Sequence, residues 1–337
     1  MGAVVVTLLF LYVAPWLLAA SYLKRGEAKK ALHIYRLTAP VYSWTGNGNV
    51  AILAYNIGLC LSYLGERKEA EKHLHTAMDL MQNFKSQKML RCKIIAMALS
   101  ALYYAEDGAL EQADNLATSA RAILNPKSPF ACVVRLFLAV ELLYTERFDE
   151  AEAELKAILE DYPKLSADVQ ASVYSNLGTC AYCQGNFGEA LKHQVLAEEH
   201  SGAASSNRAF YIASQIIDAT DLGDLVTAQK AEAKLIPMIQ KLEEAQRNQP
   251  YWALATLALA RGDLDRTLDY AERSYNESSS LRMQANSLYL QACVYAKREN
   301  PTRALQLLKE AETYPNFTLF KDRIVKLRQE VEAKYHS

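Results

Sequence analysis

Residues 54–80 read AYNIGLCLSYLGERKEAEKHLHTAMDL, and this stretch decides the fold. Its first half crowds apolar residues around Asn56-Ile57-Gly58, as a largely buried helix does. Gly65 falls where that helix has to stop, because glycine takes the left-handed backbone that closes helix ends without steric cost. The second half sets Ala70, Leu74 and Ala77 at spacings of four and three, which place them on one face of a second helix. Small side chains at Gly58 and Ala70 let two antiparallel helices come close together.

Outward from there, the same unit recurs along the chain. Breaks at LGER (64–67), EDGAL (106–110), TERF (145–148), QGNF (184–187), LGDL (222–225), RGDL (261–264) and RENP (298–301) each precede a small anchoring residue. With Ala31 as the first, the anchors are Ala70, Ala113, Ala151, Ala190, Ala228, Thr267 and Ala304, separated by 39, 43, 38, 39, 38, 39 and 37 residues. A period this even marks a repeat architecture, in which each two-helix unit buries its apolar face on its neighbours. The prediction is an all-α protein, an α-solenoid of about eight antiparallel helix pairs. Pro40, Pro126, Pro163 and Pro315 read as stops for second helices, since proline cannot continue a helix. The longest separation contains KSQKMLRCK (85–93), read as a solvated loop or helix end, and SGAASSN (201–207) reads as a flexible joint.

Charge and chemistry narrow the function. Thirty-seven Lys and Arg against 38 Asp and Glu give a net charge of -1, which provides no general drive toward nucleic acid. The six cysteines have no disulfide-like spacing, which fits buried thiols in a reducing compartment. No H-E-x-x-H, G-x-S-x-G or phosphate-loop pattern occurs. Gly46-x-Gly48-x-x-Ala51 lacks the preceding strand that a dinucleotide site requires. Cys180 and Cys183 form a C-x-x-C pair with no second pair, so packing cysteines are favoured over a metal or thiol site. A non-enzymatic protein with no cofactor, metal, nucleic acid or small-molecule substrate is expected.

The amino terminus supports two readings. Residues 3–23, AVVVTLLFLYVAPWLLAASYL, carry no charge and approach the roughly 20 residues that cross a bilayer core. Lys24, Arg25, Lys29 and Lys30 follow, so the positive-inside tendency predicts a membrane anchor with the repeats in the cytoplasm. Alternatively, Gly26, Ala28 and Ala31 are spaced like Gly65, Arg67 and Ala70, which makes Pro15 to Lys24 the first helix of the first repeat, buried as a cap. The chain thus divides into an apolar segment 1–23, repeats over 24–315, and a capping helix in 316–337 with Ile324, Val325, Leu327 and Val331 on one side.

Ile57-Gly58, Gly65, Ala70, Leu74 and Ala77 resemble the tetratricopeptide repeat. So do Leu177-Gly178, Gly185, Phe187, Ala190 and Ala197, and in part Phe148, Ala151, Leu155 and Pro163. The resemblance spans about residues 15–315, with a period longer than the family's roughly 34 residues by about one helical turn. It implies a right-handed superhelix whose concave groove is lined by the first helix of each pair. The positions carried over are Tyr55, Leu59, Leu136, Val140, Tyr182, Phe210, Ile217, Trp252 and Tyr289. Beside them lie Ser62, Leu143, Ser175, Thr179, Ala213, Thr256 and Cys293. The family's carboxylate clamp needs basic residues beside asparagine. Asn56 and Asn176 have none, so recognition of a chaperone tail is not expected. An apolar, aromatic groove suits a helical or hydrophobic segment of a protein partner, with Trp252, Phe210, Tyr55 and Leu136 as expected contacts. The resemblance therefore implies an interaction scaffold, which the first reading of the amino terminus tethers to a membrane; the alternative is a soluble regulator or assembly factor with its amino-terminal helix buried as a cap.

Overall fold

The computed structural model describes residues 14–25, 27–44, 46–128, 130–162, 164–202, 205 and 207–335. Among the described residues seventeen α-helices follow one another: α1 (Ala14–Lys24), α2 (Ala28–Ser43), α3 (Asn47–Tyr63), α4 (Arg67–Leu80), α5 (Gln87–Glu106), α6 (Leu110–Ile123), α7 (Ala131–Tyr144), α8 (Phe148–Asp161), α9 (Ala167–Cys183), α10 (Phe187–His200), α11 (Arg208–Leu222), α12 (Leu225–Ile239), α13 (Asn248–Ala260), α14 (Leu264–Asn276), α15 (Leu281–Lys297), α16 (Pro301–Ala311) and α17 (Thr318–Tyr335). No strand occurs among the described residues. The chain forms two compact units, residues 1–104 with 111–134, and residues 105–110 with 135–337.

Six of the expected pairs pack within the units. In the first, α1 packs on α2 and α3 on α4; in the second, α9 packs on α10, α11 on α12, α13 on α14 and α15 on α16. First helices also lie side by side, α11 against α13 and α13 against α15. All eight anchors, from Ala31 to Ala304 and including Thr267, are 0% exposed. The glycines opposite them leave no room for a side chain. A Cβ on Gly178 would lie 2.7 Å from Nε2 of Gln194 and 3.1 Å from the Ala190 carbonyl oxygen.

The breaks share one backbone device. Gly65, Gly108, Gly185, Gly223 and Gly262 adopt positive φ, and so do Glu146 (61°) and Glu299 (57°) at the equivalent positions of their repeats. The residue after the turn returns an N–H to a carbonyl five positions earlier, as Glu66 does to Leu61 (3.0 Å), Asn186 to Ala181 (2.8 Å) and Asn300 to Tyr295 (2.9 Å). This closure satisfies carbonyls that the helix end leaves open. The next helix then begins at once, and Asp224, Asp263 and Asn300 cap it by accepting from the third N–H. A left-handed conformation strains any residue with a Cβ. Glu299→Gly is therefore expected to raise stability by about 0.5–1 kcal/mol, checked by a higher urea midpoint. Its ion-pair partner, Lys334 at 3.5 Å, is exposed.

The amino-terminal expectation is corrected. Helix α1 has 11 residues, about half of what a bilayer core requires. Among the described residues no helix is long and apolar enough to cross a membrane. Instead α1 packs into the array: Ala19 is 0% exposed, and the Trp16 ring lies 5.4 Å from both Tyr35 and Tyr42 of α2. The membrane-anchored localisation thus gives way to the reading of Pro15 to Lys24 as a helix of the first repeat. Residues 1–13, Gly26 and Pro163 lie outside the described residues, as do positions 203, 204 and 206 of the expected joint.

Two local expectations also change. Pro40 sits inside α2, which continues to Ser43. Most of the basic stretch 85–93 belongs to α5, where Met89 and Cys92 are buried while Gln87, Lys88, Leu90 and Arg91 face solvent.

Candidate functional site

In the second unit, the first helices of the pairs present one shared face, and the chain's own carboxyl-terminal segment lies on it. After α16 the chain turns at Asn316, which is 3% exposed and donates Nδ2 to Oδ1 of Asn286 at 2.7 Å. Phe317 then stacks on Tyr144 (5.7 Å, 7°) and approaches Phe148 (6.3 Å). The Thr318 N–H, at the open amino end of α17, donates to the Glu146 carboxylate at 3.2 Å. That carboxylate also suits the positive pole of the helix. Phe320 meets Tyr182 (5.9 Å) and the edge of Trp252 (5.7 Å).

Arg323, one turn further on, reaches α11. Its guanidinium donates to Oδ2 of Asp221 at 3.0 Å and to the Tyr182 hydroxyl at 3.2 Å, while that hydroxyl donates to the same Asp221 oxygen at 2.5 Å. Burial opposes the guanidinium charge, but Tyr182 and Asp221 outweigh it and raise the Arg323 pKa above its ordinary value. Burial, and then Asp221, pushes the Tyr182 phenol well up. The outer side of α17 packs on α16, with Ile324 buried against Leu307, Leu308 and Ala311. One helix therefore closes the last pair with one side and fills the inner face with the other. Beside it runs an open groove of about 460 Å³ bordered by Thr256, Leu259, Tyr289, Arg323 and Lys326.

A second polar group lies below the first. Arg282 of α15 is 6% exposed. It donates Nη2 to the carbonyls of Ala105 and Tyr144 (both 3.0 Å) and Nε to that of Glu106 (3.3 Å), all at helix ends. Its guanidinium lies over the rings of Phe317 (4.5 Å) and Tyr144 (5.0 Å). Burial pulls its pKa down, and Tyr144 and Glu106 oppose that shift. Asp218 of α11 is 3% exposed, and burial pushes its carboxyl well up, aided by the like charge of Asp221.

The positions carried over from the sequence distribute as follows. Tyr182, Ile217, Trp252 and Tyr289 gather around the carboxyl-terminal segment in the second unit, where Tyr182, Ile217 and Trp252 are buried and Tyr289 half-buried. Leu136, Val140 and Phe210 are half-buried and line neither cavity. Tyr55 and Leu59 belong to the first unit, Tyr55 at 8% exposure and Leu59 half-buried. The cysteines are free thiols. Burial raises Cys180 to about 12 and Cys183 further, so both stay protonated at neutral pH. Among the described residues no group of three His, Cys, Asp or Glu side chains could hold a metal ion.

No protein-family profile matches the sequence, and no curated protein matches it. Solved structures do match in shape. A Rap protein complexed with Competence and Sporulation Factor aligns with a TM-score of 0.63 at 14% identity, covering 94% of this chain and 99% of that one. NprR in complex with its cognate peptide NprX gives 0.57 at 15% identity, covering 84% and 86%. A tetratricopeptide repeat protein from Parabacteroides merdae gives 0.50 at 16% identity, covering 85% and 99%. The fold is tetratricopeptide-like.

In this tetratricopeptide-like chain the residues most embedded in the inner face are those the period could not reveal. Phe320 and Arg323 fall in a segment read only as a terminal cap, and Asp221 and Arg282 lie between marked repeat positions. The one available signal was an arginine among the apolar positions of the last helix, three residues after a phenylalanine.

Proposed function

We propose that the protein is a non-catalytic, tetratricopeptide-like regulator or assembly factor. On this reading the inner face of its second unit holds a segment of a partner protein or a peptide. One observation carries the proposal: the chain's own segment 316–323 is seated there through an aromatic residue on Tyr182 and Trp252 and an arginine on Asp221. This is the helix-in-groove mode of recognition practised in cis. It describes the ligand as a helix that presents an aromatic or apolar side chain and a basic one a turn later. The peptide held by NprR, whose fold is similar, supports a peptide as ligand. Lys326, Glu330 and the adjoining groove leave room beside the seated helix for a longer segment.

The test uses a fluorescent peptide of residues 316–337 and the full chain. Wild type, with its seat filled, is expected to bind the peptide weakly, because a tethered ligand competes at high effective concentration. The full-length double variant Phe320→Ala, Arg323→Ala should bind it saturably and at least about tenfold more tightly. A peptide carrying the same two substitutions should not bind. Absence of saturable binding to the double variant would refute the proposal.

A further inference from the structure

Beneath residues 316–320 lies a half-open cavity of about 180 Å³ between α9, α11, α13 and α15. Two ionisable side chains, each more than nine-tenths buried, line it: Asp218 and Arg282. Oδ2 of Asp218 and Nη1 of Arg282 have no hydrogen-bond partner, and among the described residues no ion pair joins them. Buried polar groups are ordinarily satisfied, and a lone buried charge is more costly still. Here an acid and a base, on helices 64 positions apart, each leave one polar atom open beside the same space. The wall between them is aromatic, with Tyr182, Trp252 and Phe317.

We propose that this cavity binds a free α-amino acid with a small apolar side chain. The ammonium group would donate to Asp218, one carboxylate oxygen would accept from Nη1 of Arg282, and the side chain would lie against the rings. The size is of the right order: a cavity of roughly 150 Å³ takes benzene, with its six non-hydrogen atoms, so this one of about 180 Å³ holds about seven, and its open side leaves space for the remaining atoms of a small amino acid such as valine. The site differs from the groove of the proposed function in its lining: Asp218 and Arg282 border it and not the groove, while Trp252 and Phe320 are shared by both.

Protonation gives the proposal a second signature. Burial and Asp221 keep the empty Asp218 carboxyl protonated far above the usual carboxylate range. The other titratable groups bordering the cavity are Tyr182 and Cys183 of α9 and Arg282 of α15. An ammonium favours the ionised carboxyl, so binding releases a proton and affinity rises with pH until the empty site itself ionises.

The experiment is isothermal titration of the full chain with valine, leucine, isoleucine, proline and methionine. Each is compared with its decarboxylated amine and its N-acetyl derivative. At least one amino acid is expected to bind with unit stoichiometry, more tightly as pH rises, while neither derivative binds. Asp218→Asn, nearly isosteric, should weaken binding by about ten- to a hundredfold. Ser214→Leu, which fills the cavity and leaves both charges, should abolish it. A cavity that takes no amino acid and holds water alone, derivatives that bind as well as the parents, or an unchanged affinity in Asp218→Asn would each overturn the assignment.

Discussion

Replacing Arg282 by methionine is expected to lower the stability of the second unit by about 2–4 kcal/mol, a loss measurable as an earlier urea transition in the helical circular dichroism. Two opposed effects set the size. Removing a guanidinium that is 6% exposed relieves a desolvation cost of several kcal/mol. Against that, three carbonyls at the ends of α5 and α7 lose a charged donor, at about 1.5–3 kcal/mol for a hydrogen bond to a charged group, the Ala105 oxygen keeping its bond from the Gly108 N–H. Two ring contacts, to Tyr144 and Phe317, lose the cation as well, at roughly 0.5–2 kcal/mol each. Methionine fills similar space, so no large cavity offsets the comparison. Arg282→Lys should recover little, because an ammonium cannot present the planar fork that reaches three acceptors. A methionine variant as stable as wild type would show that the carbonyls are satisfied in another way.

Trp252→Ala is expected to cost about 3–5 kcal/mol and to loosen α17. The indole is 8% exposed, and its loss opens a cavity where the edge contact with Phe320 was. Trp44 supplies the internal control. It is 91% exposed, so Trp44→Ala should fall within the roughly 0.5 kcal/mol typical of surface changes. Thermal unfolding of the two variants side by side checks both values. Equal, small losses would mean that the Trp252 site lies open to solvent and that α17 is not seated there.

Much of the fold was legible because a repeat writes the same physics at a fixed interval. Each anchor must be small for two helices to touch, and each turn must reverse the chain in two or three residues. Those local demands reappear as Ala70, Ala113, Ala151 and their counterparts, all fully buried. Glu146 and Glu299 show where the signal fades: the turn geometry persists although its usual residue does not. At the amino terminus, hydropathy alone cannot separate a helix buried in protein from one buried in lipid. The ring contacts of Trp16 with Tyr35 and Tyr42 separate them.

The inner face was only partly legible for a different reason. Family positions identified Tyr182, Ile217, Trp252 and Tyr289, since first helices repeat. What meets them did not, since Arg323 and Asp221 are 102 residues apart and Phe317 and Tyr144 are 173 apart. No periodicity links such pairs. The charges of Asp218 and Arg282 were likewise hidden, because a polar residue on a helix reads as solvent-facing until its neighbours are placed.

The central claim is that α17 occupies the inner face of the second unit through Phe320 and Arg323. Amide hydrogen exchange of the full-length protein, followed by mass spectrometry, tests it most directly. Residues 318–335 should exchange slowly in wild type. In the Phe320→Ala, Arg323→Ala variant they should exchange much faster, together with newly exposed segments of α9, α11 and α13. Rapid exchange of 318–335 in wild type, or a variant whose α9, α11 and α13 stay unchanged, would contradict it.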